Sequence, residues 1–200
     1  MTKRQNGIIR ILVLTGWLIG QSHSQGAADI LVEFFPGSLV AHASGDDFKV
    51  SDGLTRESIA MVSTMPNIRI GTAIAQPEGY FDFTVGAGIL LGNRVRSIIL
   101  SAGAGMTLEY RPSILMGPHV NLLYGMSPDW WGDIDVNLDS SIGYEFGFHM
   151  VAGDRIAYLF SLDYVSLAFD AEPGSPGVTV SQAELDLSGI AIQFGVRSQF

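Results

Sequence analysis

Two hundred residues, 47% of them hydrophobic and 16% charged, suffice for one domain and exclude a disordered, highly solvated chain. The absence of cysteine excludes a disulfide framework, a lipid-modified cysteine anchor and thiolate metal sites. Beyond the N-terminus no apolar run reaches the roughly 18 residues of a helical membrane span, so the positive mean hydropathy calls for another explanation.

At the N-terminus, Lys3, Arg4 and Arg10 precede the apolar stretch Ile11–Gly20, and Ser22-His23-Ser24 offers small residues for cleavage. This layout predicts a signal peptide over residues 1–24, removed on export; a retained anchor is the alternative, for which the apolar stretch is short. The remaining residues, 25–200, carry 8 basic and 20 acidic side chains, a net charge of −12. Such a chain is a poor partner for nucleic acid.

Eight segments then alternate apolar with small or polar residues at the period of a strand. Asp29–Ala41 is the least regular, being interrupted by Pro36 and Gly37. Asn67–Ala75 sets Ile68, Ile70 and Ile74 against Arg69, Gly71 and Ala73. Gly79–Leu91 sets Phe81, Phe83, Val85 and Ile89 against Asp82, Thr84, Gly86 and Gly88, and Ser97–Tyr110 repeats the pattern with Ile98, Leu100, Met106 and Leu108. Ser113–Tyr124 continues it, although Pro118 removes one ladder donor. Leu138–Met150 places Ile142, Tyr144, Phe146 and Phe148 on one side, and Ile156–Phe169 follows with Tyr158, Phe160, Leu162 and Tyr164, blurred by Leu159 and Val165. The last segment aligns Ile190, Ile192, Phe194 and Val196 and ends at Phe200. Between the first two segments, Thr55–Ser63 is long enough for a short helix with Thr55 as its N-cap.

The connections obey a parity of their own. Counted back from Phe200, Gln76–Gly79, Arg111-Pro112 and Ala152–Arg155 fall on one side and are tight, whereas Ala43–Pro66, Gly125–Asn137 and Asp170–Leu185 fall on the other and are long. Gly92–Val95 is the one short link on the long side. Short periplasmic turns and long outer loops are the asymmetry of outer-membrane barrels. Aromatic residues gather near both sets of ends, with Phe81, Tyr110, Phe148, Tyr158 and Phe200 at one and Tyr124, Trp130, Trp131 and Tyr164 at the other, so the two tryptophans read as interface anchors. A soluble lipocalin-like barrel would hide its apolar face and charge the other; here the outward stripes lack charge. The expected fold is therefore all-β: an eight-stranded antiparallel transmembrane β-barrel in an up-and-down meander.

The final Phe200, preceded by alternating apolar residues, resembles the closing strand of bacterial outer-membrane proteins, in which it is the signal read by the assembly machinery. By strand count, length, leader and terminal Phe, residues 25–200 resemble the small barrels of the OmpA/OmpX/OmpW and opacity-protein group. That resemblance implies a place in the outer membrane among lipid and lipopolysaccharide. It leaves the role open, since the group includes adhesins, envelope anchors, pores for small apolar compounds and lipid-modifying enzymes.

An eight-stranded barrel is just wide enough to be filled by side chains. Alternation sends Glu33, Arg69, Asp82, Glu109, His119, Glu145, His149, Asp163 and Arg197 into it, where such groups must pair. An ion-pair network bracing the barrel is the principal reading, and a path for protons or cations along the acids the lesser one. At the outer end of the first strand, His42 and Ser44 pair a base with a hydroxyl in a spacing that resembles the His-x-Ser-Asn-Gly motif of lipid A deacylases. Ser44 is followed by Gly45-Asp46, and the pair lies on the first rather than a late strand. In the third outer loop, Asp129, Asp133 and Asp135 recur as oxygen donors for Ca²⁺ or Mg²⁺, without the glycine and glutamate of an EF-hand. No P-loop, dinucleotide fingerprint or nucleophile elbow is present, and no cofactor is expected. The sequence thus favours a structural or surface-interaction barrel acting through its long outer loops, with a lipid A-modifying enzyme or a narrow conduit for small or hydrophobic solutes as alternatives, and an extracellular ligand it does not identify.

Overall fold

The computed structural model describes residues 28–43 and 47–200, so the expected signal peptide and Ser44 lie outside the described residues. β1 (Ala28–His42) is followed by the short strands β2 (Lys49–Ser51), β3 (Arg56–Ser58) and β4 (Val62–Thr64), then by β5 (Asn67–Gln76), β6 (Gly79–Leu91), β7 (Val95–Arg111) and β8 (Ile114–Trp130). β9 (Val136–Leu138) precedes β10 (Ser141–Gly153) and β11 (Ile156–Ser166); β12 (Ala168–Pro173), β13 (Thr179–Val180) and β14 (Glu184–Asp186) lead to β15 (Gly189–Gln199). The eight long strands β1, β5, β6, β7, β8, β10, β11 and β15 each pair antiparallel with the next in chain order. β15 then returns to β1, from Leu31 opposite Gln199 to His42 opposite Gly189. The sheet closes on itself and has no free edge, as the alternation and the connection parity predict.

Breakers in the sequence are absorbed locally. Pro36 and Gly37 fall in a bulge of β1, where the register against β15 shifts between Phe34 and Gly37. Pro118 sits where the β7–β8 ladder lapses, between Gly105 opposite His119 and Leu108 opposite Met116. β4 pairs with both β1 and β6 and is the outward continuation of β5, broken only at Met65-Pro66.

The outward face is apolar in the manner that lipid requires: Val85 is 63% exposed, Ile142 70% and Tyr158 77%, with Phe146, Leu122, Phe194 and Ile70 about half so. β7 and β8, at 17 residues each, are far longer than the roughly 9–11 residues a tilted strand needs to cross a bilayer. The excess projects at the long-loop end. There the outward positions turn charged, with Arg96 and Asp129 paired at 2.7 Å and both exposed.

At the same level the inward face inverts. Along β11 the buried Asp163 gives way to Val165 and then to Leu167 and Phe169; along β8 the buried Asn121 gives way to Leu123; on β6 and β1 the buried Leu90 and Val40 follow Gly88 and Ser38. Above the inversion, the three long connections supply Phe48, Val50, Ile59, Ile134, Val136 and Leu185, which join these residues in one apolar core filling the barrel mouth. β2 pairs with β3 and with β13 in one small sheet, and β12 with β9 and β14 in another, so the connections form a folded crown.

The crown corrects four expectations. Thr55–Ser63 holds no helix: Asp52 Oδ1 accepts the N–H groups of Leu54 and Thr55, Gly53 takes a positive φ of 88°, and the chain doubles back so that Arg56–Ser58 pairs with Lys49–Ser51. An isolated nine-residue helix has little to oppose that hairpin. The expected loops Gly125–Asn137 and Asp170–Leu185 are in large part strand, and the expected strand Ile156–Phe169 is two, parted at Leu167. Trp130 is no interface anchor. Its ring is 7% exposed and lies 5.7 Å from that of Phe48, while Trp131 beside it is 53% exposed.

Glu57, 5% exposed, clasps the crown. It accepts the Asp133 N–H at 2.9 Å, the Ile134 N–H and the Trp130 indole N–H, and pairs with Arg94 at 3.2 Å. Burial pushes this carboxyl up, but the donors outweigh it and leave the group below the usual glutamate range. A folded-state value below the unfolded one contributes stability that is present above about pH 4.3 and is lost as pH falls through the folded value. Acid titration is expected to red-shift the Trp130 fluorescence over that range in the wild type, whereas Glu57→Gln shows the shifted spectrum already at neutral pH; a variant spectrum identical to wild type at pH 7 refutes the clasp. Phe169→Ala, at a fully buried position of the crown core, is expected to cost about 3–5 kcal/mol. Protease should then nick the crown at temperatures where the barrel still migrates as the compact, unboiled band.

Candidate functional site

Below the crown, the middle of the lumen is polar, and Glu145 on β10 is its centre. This carboxylate, fully buried, accepts from Asn121 Nδ2 at 2.6 Å, Arg69 Nη2 at 2.8 Å and Gln193 Nε2 at 2.9 Å, donors carried by β8, β5 and β15. Gln193 also donates to Asp163 Oδ2 at 2.8 Å, and the Ser161 hydroxyl donates to the same carboxylate at 2.7 Å. Asn67 links Arg69 to Gln193 at 3.1 Å on either side, and the Arg69 guanidinium lies 5.0 Å over the Phe35 ring.

A second knot lies toward the short-turn end. Arg197 donates to Glu33 Oε1 through Nε and Nη2, at 3.0 and 2.7 Å, and to Asp82 Oδ2 at 3.0 Å. The register explains the meeting, because Glu33 on β1 faces Arg197 on β15 on one side and Arg69 on β5 on the other. Between the knots, His119 and His149 stack with centroids 4.9 Å apart. His119 Nε2 lies 3.1 Å from Asp163 Oδ1 and 3.5 Å from Glu145 Oε1, but its N–H is aligned with neither.

Glycine makes these approaches possible in so narrow a cylinder. Gly147 stands between His119 and Asp163 in the same row of the sheet, and a Cβ there would collide with Asp163 Oδ1. A Cβ on Gly103 would likewise strike the Asn121 amide. The small residues of the alternation are therefore the spaces into which the large polar ones lean.

Of the inward residues singled out in the sequence, Glu33, Arg69, Asp82, His119, Glu145, His149, Asp163 and Arg197 are all less than 10% exposed and lie in this lumen. Glu109 does not join them. It sits at a bulge of β7, is exposed, and lines a cavity of about 800 Å³ at the short-turn mouth with Asp29, Tyr80, Arg155 and Gln199. Asn67, Asn121, Ser161 and Gln193, which complete the network, occupy inward positions that the alternation marks, but neutral polar side chains do not announce themselves as partners. His42 is buried, faces inward and has Nδ1 2.8 Å from the Leu187 carbonyl oxygen, so it points into the crown rather than at lipid. Asp129, Asp133 and Asp135 do not converge: Asp129 pairs with Arg96, and the backbone of Asp133 serves Glu57 and that of Asp135 serves Gly174. Among the described residues, the His, Asp and Glu side chains that do come together are His119, Glu145 and Asp163.

Arg197 tests the network. Arg197→Met strands Glu33 and Asp82 without a cation and is expected to cost about 3–5 kcal/mol, while the double variant with Glu33→Met recovers part of that loss. Urea titration of the lipid-embedded barrel, read by the compact band, measures both; additive losses would show that the pair does not interact.

No family model matches the chain, and no curated protein does. Among solved structures it is similar to the outer membrane protein AlkL, determined by solid-state NMR in lipid bilayers, at 12% identity over 90% of this chain and 93% of that one, with a TM-score of 0.51. It also aligns with the crystal structure of Neisserial surface protein A, at 13% identity over 87% of this chain and 99% of that one (TM-score 0.49), and with a designed transmembrane β-barrel at 11% identity over 86% and 95% (TM-score 0.35). The closed ring of eight strands with its apolar outward belt, together with the likeness to AlkL, makes the fold that of a small outer-membrane β-barrel.

Proposed function

We propose that the protein is exported by the leader in residues 1–24, is assembled into the outer membrane through its Phe200-terminated closing strand, and serves there as a structural and surface-interaction barrel. It displays the folded crown outward and passes nothing through its lumen. The observation that carries this reading is the apolar core at the long-loop end, where loop and strand residues together close the mouth. Beneath it the polar network leaves a cavity of only about 20 Å³ between Asp82, His119, His149 and Arg197. A conduit would have to expel the core and part the Glu145 and Arg197 knots.

The crown presents apolar contacts of its own. Leu54, at the tip of the β2–β3 hairpin, is 97% exposed, and Met61 and Trp131 are about half exposed on the same end. Side chains of this kind on a folded platform suit contact with another macromolecule or with the lipopolysaccharide around the barrel. The lipid-modifying alternative has less support, because the imidazole it needs is buried and engaged by the Leu187 carbonyl.

Two measurements test the reading. In planar bilayers the purified barrel is expected to give no resolved conductance steps, and steady ohmic steps would overturn the closed lumen. Lipid A from cells overproducing the protein should keep its full acyl pattern by mass spectrometry; a lost or added chain that vanishes in His42→Ala would establish the enzyme instead.

A further inference from the structure

We propose that the lumen binds one divalent transition-metal ion, with Zn²⁺ as its type, between His119 Nε2 on β8, Glu145 Oε1 on β10 and Asp163 Oδ1 on β11. The three donor atoms lie within 4.8 Å of one another, with the imidazole nitrogen 3.1 and 3.5 Å from the two oxygens. A tetrahedral ion with bonds of about 2.0–2.2 Å sets its ligands about 3.3–3.6 Å apart. One imidazole and two carboxylates form a donor set for a borderline cation rather than for calcium.

A second observation points to the same place. His119 has a side chain only 6% exposed, yet neither ring nitrogen has a hydrogen-bond partner among the described residues. A neutral ring nitrogen 3.1 and 3.5 Å from two carboxylate oxygens is repelled by them unless a positive charge, a proton or a metal ion, sits between. A metal ion supplies that charge at bonding distance from all three donors, whereas a proton on Nε2 makes an aligned hydrogen bond to neither oxygen.

The charge balance agrees. Within the lumen below the crown the buried carboxylates are Glu33, Asp82, Glu145 and Asp163, and the buried guanidiniums are Arg69 and Arg197, which leaves two negative charges uncompensated. Protonating His119 alone leaves one negative charge uncompensated, and protonating both histidines would set two cations face to face at 4.9 Å. One divalent ion cancels the excess with both rings neutral. The ligands also carry outer hydrogen bonds on their non-ligating oxygens: Gln193 donates to Glu145 Oε2 and to Asp163 Oδ2, and Ser161 donates to Asp163 Oδ2. A water completes the four ligands. Such an ion staples three neighbouring strands at mid-membrane and is independent of what the crown contacts.

The test uses the untagged chain, refolded in detergent with one equivalent of Co²⁺ or Zn²⁺ and dialysed against metal-free buffer. The expected result is one metal retained per compact-band chain, with the intense visible d–d absorption of four-coordinate Co²⁺, bleached by added Zn²⁺. His119→Asn should lower retention about tenfold or more, while Glu109→Gln, at the exposed mouth, keeps it. No retained metal in the folded wild type, or equal retention in folded His119→Asn, overturns the site. Should His119→Asn fail to fold, the wild-type cobalt spectrum decides alone: four-coordinate bands support the site, and the weak spectrum of the aqua ion overturns it.

Discussion

A carboxylate inside a cylinder one side chain wide has no bulk water to solvate it, so it must be met by donors from other strands, and this requirement governs the barrel. Glu145 is met from three strands at once, and Arg197 joins two carboxylates on two further strands. Such contacts exist in one register only. A slip of one residue along β10 would turn Glu145 and His149 onto lipid and bring Tyr144, Phe146 and Phe148 inside, exchanging satisfied charge for charge in hydrocarbon. The network therefore specifies which strand alignment is native, whatever its net contribution to stability.

Where the surrounding solvent changes, the logic of the wall changes with it. Across the belt the outward positions are apolar because lipid lies outside, and the inward ones are polar because the packed lumen satisfies them. Beyond the belt, water lies outside, and the strands revert to the pattern of a soluble β-protein. Arg96 and Asp129 then face out, and Leu90, Ile99, Leu123, Val165 and Phe169 face in. The hydrophobic effect, which contributes little to packing within the bilayer, becomes available there, at about 25 cal/mol per Å² of apolar surface removed from water. It draws the three long connections over the mouth. The switch from Asp163 to Val165 and from Asn121 to Leu123 places the boundary within one pair of inward residues on each strand.

This double rule explains what could be read from the sequence. Alternation over the lipid-facing stretches, such as Phe81–Leu91 and Ile142–Met150, survives any single disturbance, so the eight strands and, Glu109 apart, the charged inward residues on them were legible. Leu159 and Val165 blurred the pattern because they are apolar on the inward side: Val165 lies at the level of the crown, and Leu159 packs with Phe35, Val151 and Ala157 near the short-turn end. The crown was hidden for a related reason. Strands of two or three residues such as β2, β3 and β13 are too short to show a period, and the pairing of β13 with β2 joins segments more than 100 residues apart. Trp130 looked like a girdle residue because composition does not reveal that its strand has already left the membrane. Parity gave the inward side of His119 and Asp163, but their meeting depends on Gly147 vacating the position between them in the sheet.

A barrel filled in this way constrains its own use. Transport demands a minor state in which a path opens, and here opening would expose apolar crown residues to water and leave carboxylates and guanidiniums unpaired together. Because the crown sits directly on the strands that carry the lumen network, with Val165 two residues from Asp163 and Leu123 two residues from Asn121, the two layers stabilise one another. Lifting the crown alone frees the strand ends but does not break the knots; breaking the knots alone leaves the mouth closed. Such a molecule has a packed interior in which each polar group depends on the others, whereas the exposed residues of the crown, Leu54, Met61 and Trp131 among them, can change without disturbing the fold.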